Sequence, residues 1–306
     1  AFYDSTNDVI LINKDKSVVS REIRRNADAR SGQYKDDLAH RKYLKRQAYK
    51  AKARTFTPEV EAYVRDKLRL KYSPEQIAGV AKTNGDNCVS HERIYQFIWQ
   101  DKRKKGTLYL DLRNRGRRYK KRSVIYDKRG TIPNRTDISL RPPEVEQRER
   151  FGDLEIDLII GKNHKNAILT INDRATGLAK LCKLTGKDAE QLAVATIDCL
   201  KDWKPYLHTI TSDNGKEFSS HQMIATELNI DFFFAKPFAS WQRGSNENYN
   251  RLVRQYIPKK VDFDYVTHDY VKYVEQQLNN RPRKRFGYLS PNQVVSRVWN
   301  TLVKSG

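Results

Sequence analysis

Cysteine is scarce: Cys88, Cys182 and Cys199 stand far apart with no paired metal-ligand spacing. That excludes a disulfide framework or a zinc knuckle and fits a reducing compartment. Long apolar runs are absent, and charges interrupt the opening stretch AFYDSTNDVILINKDK, so secretion and membrane insertion are excluded and a cytoplasmic protein is expected. No internal repeat of useful period is present. Acidic residues are few beside basic ones, 37 against 59, for a net charge of +22. Such an excess points to a polyanion with releasable counterions as the partner, and nucleic acid leads. The 306 residues, 38% hydrophobic, are enough for two or three domains with a sizeable core.

The basic excess is N-terminal: residues 1–150 carry net +17 and the remainder net +5. Within it, residues 101–130 hold 13 Lys and Arg against three Asp and few apolar anchors. This reads as a linker lying along phosphates, Lys102, Arg103, Lys104, Lys105, Arg117 and Arg118 among its contacts. A solvated charge run is the alternative.

Helix punctuation precedes the linker. Thr57-Pro58-Glu59 opens one helix to about Leu70, and Ser73-Pro74-Glu75-Gln76 is a capping box opening another to about Ala81. The polar stretch Thr83–Asn87 breaks the chain, and Ser90 caps a third helix with Ile94, Phe97 and Ile98 inward and His91, Arg93 and Gln96 outward. Three short helices with a turn before the last describe a helix-turn-helix, with Arg93 reading bases, or else an ordinary three-helix bundle. Residues 15–26 read as an earlier helix capped by Ser17, with Arg21, Arg24 and Arg25 turned to a groove or to phosphates. Too little chain precedes it for a full module, which is therefore expected to be partial.

Past the linker the period changes. Leu154–Ile160 alternates, with Leu154, Ile156, Leu158 and Ile160 on one face and Glu155 and Asp157 on the other. Two short strands follow as an antiparallel meander, then a helix over 187–203, a strand over 208–212 ending at Asp213, and a helix from about Glu217 to Leu228. A crossover helix that returns a strand beside the first would put Asp157 near Asp213 at a strand's carboxyl end. In SNENYNRLVRQYI, Tyr249, Leu252, Val253, Tyr256 and Ile257 bury one helical face. Glu247 is opposite, with Arg251 and Arg254, where a surface ion pair is the plain alternative.

FGDLEIDLIIG, TSDNGKEF, SWQRGSNENYNRLVRQYIPK and LNNRPRKRFGYLSPNQVV resemble the catalytic motifs of the insertion sequence 30 family of DDE transposases, with 55 residues between Asp157 and Asp213 and 33 between Asp213 and Glu247. KSVVSREIRRN, SPEQIAG, VSHERIYQFI and IPNRTDISLRPPEVEQRERFG resemble its helix-turn-helix and linker segments, so the likeness runs from Asp15 onward. It implies N-terminal all-α helix-turn-helix modules followed by an α/β ribonuclease H-like catalytic core with a mixed sheet. The boundaries expected are 1–50 for the partial module, 51–105 for the second, 106–145 for the linker and 146–306 for the core with its C-terminal helices.

The same resemblance implies Asp157, Asp213 and Glu247 as catalytic residues and metal ligands, with Glu155 and Glu217 as neighbours. Two Mg²⁺ ions (or Mn²⁺) about 3.5–4 Å apart would stabilise the attacking and leaving oxygens of a phosphodiester. Water attacks in cleavage and a DNA 3′-hydroxyl in strand transfer. Trp241 and Arg243 are placed to touch DNA near the cleaved bond, unless Trp241 is core; Arg254 and the Arg281–Arg285 cluster would meet phosphates, unless that cluster is a solvated helix end. The implied partners are double-stranded DNA, as transposon ends and target, and a second copy in a homodimer or larger synaptic complex, in a nucleoid-associated bacterial protein. The alternative functions are a sequence-specific DNA-binding regulator with a catalytically idle ribonuclease H-like scaffold, or a junction resolvase.

Overall fold

The computed structural model describes residues 14–49, 56–115, 132–162, 166–186, 188–237 and 239–304, without the side chains of 240, 241 and 298–304. The chain divides into two compact units, Ala1–Thr55 and Phe56–Gly306. In the first, α1 (Lys16–Asn26) is capped by Asp15, whose carboxylate accepts the Ser17 N–H at 2.8 Å. This corrects the expectation of a Ser17 cap: a carboxylate is the stronger acceptor at a helix N-terminus. α2 (Asp36–Tyr49) is tied to it by polar contacts, Arg46 donating to Asn26 Oδ1 at 2.8 Å and Lys42 to the Ala27 carbonyl at 2.7 Å. The expectation of a missing opening helix falls on residues 1–13, outside the described residues.

The second unit opens with α3 (Pro58–Arg69), α4 (Pro74–Asn84) and α5 (His91–Arg103), each starting where its cap stands. Thr57 accepts from Val60, Ser73 and Gln76 form the reciprocal box, and Ser90 accepts from Arg93. α4 runs past Ala81 to Asn84 because Gly85, at φ +77°, supplies the left-handed stop. Val60, Val64, Leu68, Ile77, Ile94 and Ile98 close a core of their own.

The sheet is mixed, in the order β1-β6-β5-β2-β3-β4. Its strands and helices run β1 (Thr136–Asp137), α6 (Glu144–Gln147), β2 (Asp153–Ile160), β3 (Ala167–Asp173), β4 (Ala179–Leu184), α7 (Ala189–Leu200), β5 (Thr209–Ser212), α8 (His221–Leu228), β6 (Asp231–Phe234), α9 (Gly244–Tyr256), α10 (His268–Asn279) and α11 (Pro291–Lys304). β2, β3 and β4 form the antiparallel meander, and β5 returns parallel to β2 through the crossover helix α7. A three-strand meander with two further parallel strands beside its first is the ribonuclease H-like arrangement expected. Leu154, Ile156 and Leu158 pack under α7 and α8, while Ile159, Ile168 and Leu181 pack under α9 and α10, so both faces are covered.

The expected linker, 106–145, touches the core at both of its described ends. Residues 132–145 do not belong to a free linker, because β1 pairs with β6 at the sheet edge. The near end of the linker is also held: Arg113 donates to Asn248 of α9 at 2.9 Å, and Gln255 donates to the Asp111 carbonyl at 2.7 Å. These bonds join the second helical module to the core in one unit. The helix expected from Glu217 begins at His221, after a 3-10 turn over Lys216–Phe218.

Candidate active site

β2 and β5 run parallel with Glu155 beside Thr211. Continuing that register by two residues sets Asp157 beside Asp213, the residue after β5, so the acids from two segments meet at adjoining strands. One guanidinium spans them: Arg243 Nη1 lies 3.6 Å from Asp157 Oδ2 and Nη2 lies 3.5 Å from Asp213 Oδ2. Its third nitrogen, Nε, is buried without a partner. Asn250 of α9 donates to Asp157 Oδ2 and the Leu158 N–H to Oδ1, both at 2.8 Å. The Gly215 N–H donates to Asp213 Oδ1 at 2.9 Å.

Burial pushes the Asp157 carboxyl up to about 6; Asp213 and Glu217 add to the rise, and Arg243 and the Leu158 amide oppose it. Losing water disfavours the ionised form, and further carboxylates nearby disfavour it more. The Arg243 guanidinium offsets only part of that cost. Glu217 is half-buried and folds its carboxylate over Gly215, where a Cβ would stand 2.5 Å from Glu217 Cδ.

α9 governs the third acid. Arg243, Glu247, Asn250 and Arg254 follow i, i+4, i+7, i+11 and form one stripe. Three of the four reach β2: Arg243 and Asn250 hold Asp157, and Arg254 donates to the Ile160 carbonyl at 2.8 Å. Glu247 stands between them and is exposed. Among the described residues no group of three or more His, Cys, Asp or Glu side chains is arranged to hold a metal. The expected triad is thus two acids brought together and a third on the adjoining stripe.

Glu155 has a different task. It is fully buried, pairs with the Arg174 guanidinium, and accepts the Asn246 N–H at 2.8 Å. No side chain caps α9 at Arg243, so Glu155 anchors its first turn from the strand below. Arg174, also buried, reaches Glu146 at 2.9 Å, and Arg141 donates to Thr211 at 2.9 Å. Sequence reasoning missed Asn250, Arg141 and Arg174. Asn250 was within reach, lying three residues from Glu247 on its stripe; Arg141 and Arg174 carry no local signal, because their partners Thr211 and Glu155 lie on other elements.

The DNA-contact candidates divide. Arg21, Arg24 and Arg25 are exposed on α1, and Lys102, Arg103, Lys104 and Lys105 are exposed at the end of α5. Arg93 is half-buried with its guanidinium 5.2 Å from the Phe56 ring centroid, and Tyr95 and Gln96 are more exposed on the same helix. Arg254 stacks 5.7 Å from the Phe263 centroid. Arg117 and Arg118 lie outside the described residues, as does the Trp241 side chain.

Against known proteins, the chain is 53% identical over 289 residues to the transposase for insertion sequence element IS4351 of Bacteroides fragilis, covering 94% of this chain and 89% of that one. The chain belongs to the insertion sequence 30 family of transposases. To the IS1086 transposase of Cupriavidus metallidurans it is 32% identical, over 92% of this chain and 86% of that one. To transposase InsI of element IS30A of Escherichia coli K12 it is 30% identical, over 94% and 77%. No protein-family model matches. Among solved structures, the catalytic core domain of BIV integrase is 18% identical with a TM-score of 0.38, covering 49% of this family member and 97% of that chain.

Proposed function

We propose that the chain binds the terminal inverted repeats of its own insertion sequence and catalyses Mg²⁺-dependent DNA strand cleavage and strand transfer, with Asp157, Asp213 and Glu247 as its acid triad. The observation that carries this reading is the stripe on α9: Glu247 stands between two side chains that both hold Asp157, and one of those also holds Asp213. Glu247 thus shares the helix stripe whose other members reach β2.

The donor set fits a hard divalent cation, since it consists of carboxylate oxygens that already share one positive group. Two Mg²⁺ ions, or Mn²⁺, bound there supply charge stabilisation to the attacking and leaving oxygens of the phosphodiester. The chain's own residues prepare that arrangement. Asn250 and the Leu158 amide fix the two oxygens of Asp157, and the Gly215 amide fixes Asp213. Arg243 partly neutralises the pair in the free protein. The exposed basic residues of α5 hold the duplex with Arg93, Tyr95 and Gln96 toward its grooves, those of α1 make DNA contacts of their own, and a homodimer or larger synaptic assembly brings two ends together.

The test is incubation of the full chain with labelled duplex carrying the element ends, with and without Mg²⁺. Cleavage at the element boundary only with Mg²⁺ is expected. Tight, specific binding without any cleavage would instead make the protein a regulator on an idle scaffold.

A further inference from the structure

A cavity of about 590 Å³ opens on the face of α9 opposite the acid stripe, between the start of α4 and the segment after α10. Arg113, Arg148, Arg281, Arg283, Lys284 and Arg285 line it, and its sole acid among the described residues, Glu75, is paired with Lys284. Arg113, Arg281 and Arg283 hydrogen-bond to neutral partners. Arg281 bonds Gln76 at 3.1 Å and Gln255 at 2.8 Å, Arg283 donates to the Leu278 carbonyl at 2.9 Å, and Arg113 donates to Asn248. Arg281 is only 2% exposed and Arg283 is half-buried, so this part of the cluster is no solvated helix end, while Lys284 and Arg285 are exposed. Burial pushes Arg113, Arg281 and Arg283 down to about 10; Arg251 adds to the fall at Arg113, while at Arg281 and Arg283 nearby tyrosines oppose it and neighbouring arginines add to it.

Three polar atoms along this wall are buried and unpartnered: Tyr249 Oη, Ser245 Oγ and Arg113 Nε. Tyr249 is 2% exposed, and no neighbour takes its hydroxyl. Buried guanidinium charge without counter-charge is costly, as is an unsatisfied hydroxyl. A tetrahedral oxyanion answers both, offering several acceptors to planar guanidinium forks and to the amides at the start of a long helix. The volume exceeds that of a simple halide and admits a phosphodiester with its flanking sugars.

We propose that this cavity binds a phosphodiester of the DNA backbone, clamping one strand between the second helical module and the catalytic core. The proposal rests on the reading of the chain as a DNA transposase. Duplex binding is measured by fluorescence anisotropy across a salt series in EDTA, with inorganic phosphate as competitor, on the full-length parent, Tyr249→Phe, and Arg113→Gln. Tyr249→Phe removes a hydroxyl that bonds nothing in the free protein, so its fold is retained.

Each variant is expected to lose on the order of tenfold in duplex affinity. Arg113→Gln should also lower the salt slope by about one. Phosphate should raise the parent's melting temperature more than that of Tyr249→Phe and should compete with duplex. Parental affinity and slope in both variants overturns the proposal, as does phosphate that stabilises the parent without competing with duplex. Cleavage is absent from this assay, so a failed acid triad would leave its outcome unaltered.

Discussion

Glu155 and Asp157 leave β2 on one face, two residues apart, yet one is locked and the other poised. Glu155 is matched to Arg174 and to the first turn of α9, so Glu155→Gln removes one side of a buried ion pair. Breaking such a pair costs about 3–5 kcal/mol. A large drop in the urea midpoint is expected, together with retained cleavage by whatever fraction remains folded; parental stability would contradict the anchoring role. Glu217, half-buried at Gly215, has no such anchor, and Glu217→Gln should keep the parental midpoint. Asp173 gives the pH dependence. Burial pushes it from 3.8 up to about 6, while bonds from Thr176 and Gly152 oppose the rise. A carboxyl raised on folding contributes stability that is full below the unfolded value and is lost as pH rises through about 6. Asp173→Asn should therefore flatten the fall in stability between pH 4 and pH 6, whatever it does to the absolute value. An unchanged profile in urea unfolding would refute this.

At the scale of elements, α9 and β2 hold the proposed site between them. The helix was legible from its apolar spacing at Tyr249, Leu252 and Val253, and the acid on β2 from its alternation. Sequence could not give the bonds across the two elements: Arg243 and Arg254 were expected to meet DNA, and their contacts to β2, like that of Asn250, join positions about 90 residues apart. The same blindness made residues 132–145 look like linker: β1 is two residues long, and its pairing with β6 is a contact nearly a hundred positions away. Caps were legible because their logic is local, as at Thr57, Ser73 and Ser90. Arg243→Ala is expected to lower the metal-free melting temperature at pH 8 by leaving Asp157 and Asp213 to repel each other, with Mg²⁺ narrowing the difference. An equal deficit with and without Mg²⁺ would show that Arg243 serves packing instead. On α5, Arg93 is stacked on Phe56, so Tyr95→Ala and Gln96→Ala should cut the ratio of specific to random binding at least as much as Arg93→Ala.

The whole molecule is strongly basic, with the excess in its first half. Separating the halves near residue 145 would cut into the sheet and part the second module from α9, so the partition of affinity belongs in the intact chain. Replacing Lys102, Arg103, Lys104 and Lys105 by Gln should weaken element-end and random duplex alike and flatten the salt dependence, the behaviour of phosphate contacts. A selective loss for element ends would mean that these residues read sequence.

The central claim is that three acids from β2, the end of β5 and α9 act as one site. Its most direct measurement is single-turnover cleavage of labelled element-end duplex in Mg²⁺ by the parent, Asp157→Asn, Asp213→Asn and Glu247→Gln, with end binding followed in parallel in EDTA. All three variants should bind the ends as the parent does and leave them uncut. Parental cleavage by Glu247→Gln would contradict the account and return Glu247 to a surface ion pair.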